Sequence, residues 1–202
     1  QGYGSRIALL GGELIIGSET SFAPEHSFGP AGYIEVGPQL ENKIILNTNT
    51  LLNLTGDDSE NLILKVHDNQ SLSIEGENGN VEFSHGKIQL GNNSKIITEQ
   101  NTHCFFTNIY GTNAGINEIH ITNASLKSSH CALEGVSYIG NGSRMKISHD
   151  DFIGENAGVK NKFGQYTIAF CNFTDCGVES YSLHEASSIA NSTFIDNTSG
   201  NT

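Results

Sequence analysis

The sequence predicts an all-β chain wound as a right-handed parallel β-helix, a solenoid with coils of roughly 20–26 residues, and three observations carry that prediction. The first is a spaced pattern. Ile147 and Phe152, Ile168 and Phe173, and Ile189 and Phe194 form three copies at one constant step. The second is composition: Gly occurs 23 times in 202 residues, Pro only 3 times and Trp not at all. Asn, Ser and Thr crowd the stretches between short apolar runs, as expected for many strands joined by tight turns. The third is short alternation of apolar and polar residues, as in Leu52-Asn53-Leu54 and Val81-Glu82-Phe83. Such alternation sends side chains to opposite faces of a half-buried strand, and no period near 3.6 indicates a helix.

The repeat narrows the architecture. A leucine-rich repeat has a similar length but needs its Leu/Asn signature and a helical segment, and a propeller blade is about twice as long. In a parallel β-helix each coil is one repeat and coils stack at about 4.8 Å, so residues of equal phase form columns. The predicted core ladder is therefore Ile147, Ile168 and Ile189 in one column and Phe152, Phe173 and Phe194 in another, with Leu126 beneath Phe152. The copy from Ile121 to Leu126 stands further from the next copy than the later copies do from one another. That extra length, about five residues, predicts a loop insertion between Leu126 and Ile147. A second repeat, Leu52-Asn53-Leu54 against Leu72-Ser73-Ile74, recurs at nearly the same step. Asn123 and Asn191 fall three residues before the core residue, where a coil must turn and Asn tolerates a left-handed backbone; His149 and Phe170 take that slot in other copies. Residues 41–202 are read as coils. Residues 1–40, which hold all three prolines, are read as an N-terminal cap or non-repeating segment, because an open solenoid end exposes strand edges.

The Ile-x-Asn-x-x-Phe pattern with its turn Asn resembles the β-helix repeat of the pectate-lyase-like superfamily and of many bacterial autotransporter passengers, over roughly residues 40 to 202. A narrower likeness is to the polymorphic outer-membrane autotransporters of chlamydiae, whose passengers carry GGA-[ILV] and F-x-x-N repeats. Phe105-Phe106-Thr107-Asn108 and Phe194-Ile195-Asp196-Asn197 are similar to the second motif, and Gly11-Gly12-Glu13-Leu14 to the first except at its third position. The resemblance implies an extracellular or bacterial cell-surface scaffold.

Charge constrains partners. Lys and Arg total 10 against 22 Asp and Glu, a net charge of -12. Such acidity repels phosphate backbones and anionic headgroups, so neither nucleic acid nor a membrane surface is expected as a partner. No apolar stretch approaches the roughly 20 residues that cross a bilayer as a helix, so this segment is not expected to insert. Cys104, Cys131, Cys171 and Cys176 form no Cys-x-x-Cys pair and are read as buried thiols ahead of disulfides.

The densest ionisable cluster is Arg144, Lys146, His149, Asp150 and Asp151. A lyase on a polyuronate needs a base and a cation for the substrate carboxylate, which would fall to His149, Asp151 and Arg144. A glycosidase needs two carboxylates about 5–9.5 Å apart, whereas adjacent Asp150 and Asp151 on a strand face opposite ways. The motifs of galacturonan hydrolases are also out of order: His85-Gly86 lacks a preceding Gly, and Arg144-Met145-Lys146 comes before the Asp pair. The cluster is read as a solvated turn with a local ion pair, and the chain as leaning away from enzyme function. A calcium loop opening at Asp57-Asp58 would need Gly in its sixth place, which is Leu62, and His184-Glu185 and Glu25-His26 have no third ligand at a useful spacing, so no metal site or cofactor is expected. The function the sequence points to is an adhesin-type passenger that attaches to a host-surface receptor or glycan. Tyr138 and Ile139, in the expected insertion, are the predicted contact residues. A polysaccharide lyase or hydrolase on the same fold and a phage tail-fibre segment are the alternatives. The sequence carries no signal for oligomeric state.

Overall fold

The structure is a computed structural model, and it describes residues 6–9, 12–16, 25–28, 33–37, 42–46, 50–56, 61–99, 101–113, 117–180 and 186–195. The described chain contains strands and turns without helix. In order the strands are β1 Arg6–Leu9, β2 Gly12–Ile16, β3 Glu25–Phe28, β4 Tyr33–Val36, β5 Asn42–Leu46, β6 Leu51–Thr55 and β7 Leu62–Val66. There follow β8 Ser71–Glu75, β9 Asn80–Leu90, β10 Lys95–Glu99, β11 His103–Asn113, β12 Asn117–Thr122, β13 Ser125–Ser129 and β14 Ala132–Glu134. The last are β15 Val136–Ser148, β16 Asp151–Ile153, β17 Gly158–Ala169, β18 Asn172–Thr174, β19 Gly177–Ser180, β20 Ser188–Ala190 and β21 Thr193–Ile195.

Successive strands do not pair with one another. Each pairs in parallel with the strands one coil before and after it, which is the topology of a β-solenoid with roughly 21 residues per turn. Three faces result. The first stacks β1, β4, β7, the second halves of β9 and β11, then β14, β16, β18 and β21. The second stacks β2, β5, β8, β10, β12, the first parts of β15 and β17, and β19. The third stacks β3, β6, the first halves of β9 and β11, β13, the second parts of β15 and β17, and β20. The long strands β9, β11, β15 and β17 turn a corner and serve two faces each.

Alternation explains why these segments are strands. In β6, β8 and β10 the second and fourth residues are buried while the others are partly exposed. Inward residues of equal phase lie in columns. On the first face Ile34, Leu64, Ile88, Gly111, Leu133, Phe152, Phe173 and Phe194 are successive register partners. On the third, Leu54, Phe83, Phe106, Ser128, Ile147, Ile168 and Ile189 are. Phenylalanine rings stack within these columns: Phe83 on Phe106 at 5.0 Å, Phe152 on Phe173 at 5.0 Å and Phe173 on Phe194 at 4.8 Å between centroids. Each fully buried Ile or Phe contributes about 1.5–3 kcal/mol of transfer free energy, and each ring pair about 0.5–1.5 kcal/mol more. Ile189 and Phe194, the last described members of their columns, are 42% and 46% exposed.

Several expectations need correction. Leu126 pairs with Met145, and the residue beneath Phe152 is Leu133. Likewise Ser128, not Ile121, pairs with Ile147; the true step there is shorter than the two that follow it, and Ile121 lies on the second face beside Gly140. The expected insertion between Leu126 and Ile147 is an ordinary coil, filled by β14 and most of β15. The step between Leu52 and Leu72 is also not a coil, because Leu52 pairs with Val81 on the third face and Leu72 with Ile96 on the second. Apart from these corrections, the described parts of segment 1–40, read as a cap or non-repeating piece, include β1 to β4, and β1, β2 and β3 pair with β4, β5 and β6.

Corners use left-handed backbone. Asn123 (φ 48°), His130 (57°), His149 (58°), Phe170 (58°) and Asn191 (50°) all sit at such corners. His149 and Phe170 do more than displace an Asn: His130 stacks on His149 at 4.8 Å and 3°, and His149 on Phe170 at 5.1 Å and 14°, an exposed ring ladder along one edge. At Gly164 the φ is +126° and a Cβ would collide with the Ser143 carbonyl oxygen, so no side chain fits that turn.

Candidate functional site

The outward side of the third face holds a shallow groove of about 360 Å³, lined by Leu51, Asn80, Glu82, Phe105, Thr107, Lys127 and Ser129. Alternation sets its chemistry. In β11 the inward partners are Cys104 and Phe106, so Phe105 between them faces out and is half-buried among its neighbours. Register then fixes what stands beside it: Glu82, Phe105, Lys127 and Lys146 are successive partners on β9, β11, β13 and β15. The neighbouring outward column runs Leu51, Asn80, His103, Ser125 and Arg144. The His103 ring Nδ1 lies 2.6 Å from the Ser125 hydroxyl.

The groove differs in charge balance from the other two faces. There, four lysines are matched with acids: Lys43 with Glu75 at 2.7 Å, Lys95 with Glu118 at 2.9 Å and Lys160 with Glu179 at 3.9 Å on the second face, and Lys65 with Glu35 at 3.4 Å on the first, where Lys87 stands apart from them. Lys127, Arg144 and Lys146 are exposed on the third face and, among the described residues, make no ion pair.

The residues predicted as contacts do not form this site. Tyr138 is 0% exposed. It lies in the inward column of the second face between Ile119 and Val159, and its ring packs against Phe106 and Phe152. Ile139 faces outward but is only 7% exposed, covered between its partners His120 and Lys160. Nor do Arg144, His149 and Asp151 converge. Arg144 points out from the third face, His149 is held in the corner ring ladder, and Asp151 points out from the first face, where its Oδ1 accepts the Asn172 amide at 2.7 Å. Asp57-Asp58 and His184-Glu185 lie outside the described residues. The two F-x-x-N copies are not equivalent either: Phe105 faces outward on the third face, and Phe194 belongs to the inward column of the first.

Asp150, expected in a solvated turn, is instead 0% exposed. It occupies a buried corner position, with the Cys131 amide donating to its Oδ1 at 3.0 Å and the Ser128 hydroxyl donating to its Oδ2. The Tyr138 hydroxyl is 2.9 Å from the Ser128 oxygen, which completes a buried polar island in the apolar core. Burial pushes the Asp150 carboxyl up to about 7, against the lowering effect of those hydrogen bonds. Burial likewise pushes Cys104 and Cys131 up to about 12 and Cys171 and Cys176 to about 11. All four cysteines are buried and none forms a disulfide. Asp150, Ser128 and Tyr138 are all 0% exposed, so the groove is the better candidate site. One signal for Asp150 was present in the sequence: it falls close to one coil after Cys131 and one coil before Cys171, in phase with two residues read as core.

No protein-family model, characterised protein or solved structure matches the chain.

Proposed function

We propose that this chain is a secreted or surface-displayed β-helical scaffold that attaches, in the manner of an adhesin passenger, to a host-surface glycan or receptor through the groove around Phe105. The observation that carries the reading is the setting of that ring. Phe105 is an outward aromatic on β11, a strand paired on both sides by β9 and β13. Asn80, Glu82, Thr107, Lys127 and Ser129 surround it. A ring offers the apolar CH face of a sugar a platform, and the surrounding groups exchange hydrogen bonds with its hydroxyls. Strands locked in a continuous sheet hold these groups in place before binding, which limits the ordering cost of association.

The test is retention of a glycan panel and of host cells by the immobilised chain and by its Phe105→Ala variant. The expected result is binding by the parent, loss of it in the variant and unchanged thermal unfolding of both. Equal binding by parent and variant would remove the groove from the reading. Chain cleavage of a retained polysaccharide would favour the lyase or hydrolase alternative, and a trimer in light scattering the tail-fibre one.

A further inference from the structure

We propose that the groove selects acidic oligosaccharides and holds them in one direction along the solenoid, with a neutral sugar on Phe105 and the acidic sugar over Lys127, Lys146 and Arg144. This rests on the attachment reading above and adds the ligand class and polarity.

Three of the chain's 10 basic residues stand together on this face, Lys127 in the groove and Lys146 and Arg144 on the next strand, in a molecule of net charge -12. In a molecule this acidic, a group of cations without acidic partners is where an anion meets the least repulsion. From Leu51 to Ala190 the outward positions of this face contain one acid, Glu82, and it stands on the far side of Phe105 from the lysines. The column therefore reads acid, ring, cation, cation. That order is directional: hydroxyls suit Glu82 and the ring, and a carboxylate or sulfate suits the lysines.

Lys127 and Lys146 are direct register partners. Like charges opposite one another on adjacent strands destabilise a sheet. Salt bridges relieve the charge of four lysines on the other two faces; here the residue beyond Lys146 is Thr167 and the one beyond Arg144 is Gln165. An anion laid across both ammonium groups removes the repulsion. Spacing favours a sugar chain as its carrier. Phe105, Lys127 and Lys146 lie on consecutive strands about 4.8 Å apart, and an extended pyranose chain advances by a similar increment per ring.

The experiment is titration calorimetry of the full chain with a hyaluronan octasaccharide, a chondroitin sulfate octasaccharide, a neutral N-acetylglucosamine hexamer and a decaglutamate peptide. Both acidic sugars should bind about tenfold more tightly than the neutral one, a preference that fades as salt rises from about 0.05 to 0.5 M. Lys127→Gln combined with Lys146→Gln should bring acidic sugars down to the neutral level while leaving the fold at least as stable as the parent, since the repulsion is gone. Phe105→Ala should weaken neutral and acidic sugars alike. A double variant that keeps its preference for acidic sugars overturns the proposal, as does a peptide that binds as tightly as they do. Retention of sugars without any charge preference sinks this inference alone. Failure to bind any of them while host cells are still retained through Phe105 also sinks this inference alone; failure to bind them together with loss of host-cell retention sinks the attachment reading itself.

Discussion

Asp150 lies one coil beyond Cys131 and accepts that residue's backbone amide at 3.0 Å, so a carboxyl group is threaded into the buried wall of the solenoid. The titratable groups that bear on it are Cys131, Tyr138 and Cys171 in the core and Asp151 next in the chain, and none of them is a cation. His149, which precedes it, is held in the corner ring ladder.

Stability should therefore fall as pH rises from about 4 to about 7. Burial raises the folded Asp150 carboxyl from 3.8 to about 7. Between those values the folded chain holds a proton that the unfolded chain has released, so rising pH favours unfolding, by at most about 1.4 kcal/mol per pH unit. Above the folded value the loss is complete and the profile flattens. Urea midpoints measured across this range should show the decline in the parent, and Asp150→Asn should remove most of that slope.

Ser128→Ala should cost about 1–3 kcal/mol, because it deprives two buried polar groups, the Asp150 carboxyl and the Tyr138 hydroxyl, of a partner at once. Tyr138→Phe should cost about 1 kcal/mol and leave glycan retention unaltered, since the ring is internal. The double variant should cost less than the two single costs added together. Denaturant titration of the four proteins supplies the cycle.

Phe173→Ala should destabilise by about 3–5 kcal/mol, since its ring is stacked on both sides and fully buried. Phe194→Ala should cost about 1–2 kcal/mol, as its ring is stacked on Phe173 but 46% exposed. Guanidinium unfolding distinguishes the two, and equal costs would contradict the exposure of Phe194.

The cysteines should be inert in the native state. A thiol reagent acts on thiolate, and burial keeps all four groups at about 11 or above. An aromatic disulfide reagent at pH 8 should report no fast-reacting thiol in buffer and four after unfolding. Prompt native reaction at Cys176 would contradict its burial.

Legibility from the sequence followed coil length. Where two successive coils are equally long, Ile147, Ile168, Ile189 and their Phe partners can be aligned by counting, and the register pairs them that way. One coil earlier the step from Ser128 to Ile147 is shorter, and a search for Ile and Phe passes over it because the equivalent residues are Ser128 and Leu133. Leu52 and Leu72 mislead for the opposite reason: strands on different faces share one alternation, so similarity of pattern carries no information about which face is involved. The candidate groove was harder still. Phe105 is visible as half of a Phe pair, but only the register of β9, β11, β13 and β15 sets Glu82, Lys127 and Lys146 beside it. Tyr138 illustrates the converse, an aromatic residue that reads as a loop tip until its neighbours fill a complete coil.

The polar island has a mechanical meaning. In a stacked array each coil touches only the ones next to it, so cohesion is a chain of local joints. Ser128 interrupts the apolar column between Phe106 and Ile147, and the carboxyl bonded to it gains or loses its proton near neutrality. The strength of that joint therefore follows the acidity of its surroundings, while the stacked Phe rings nearer the C-terminus carry no titrating group.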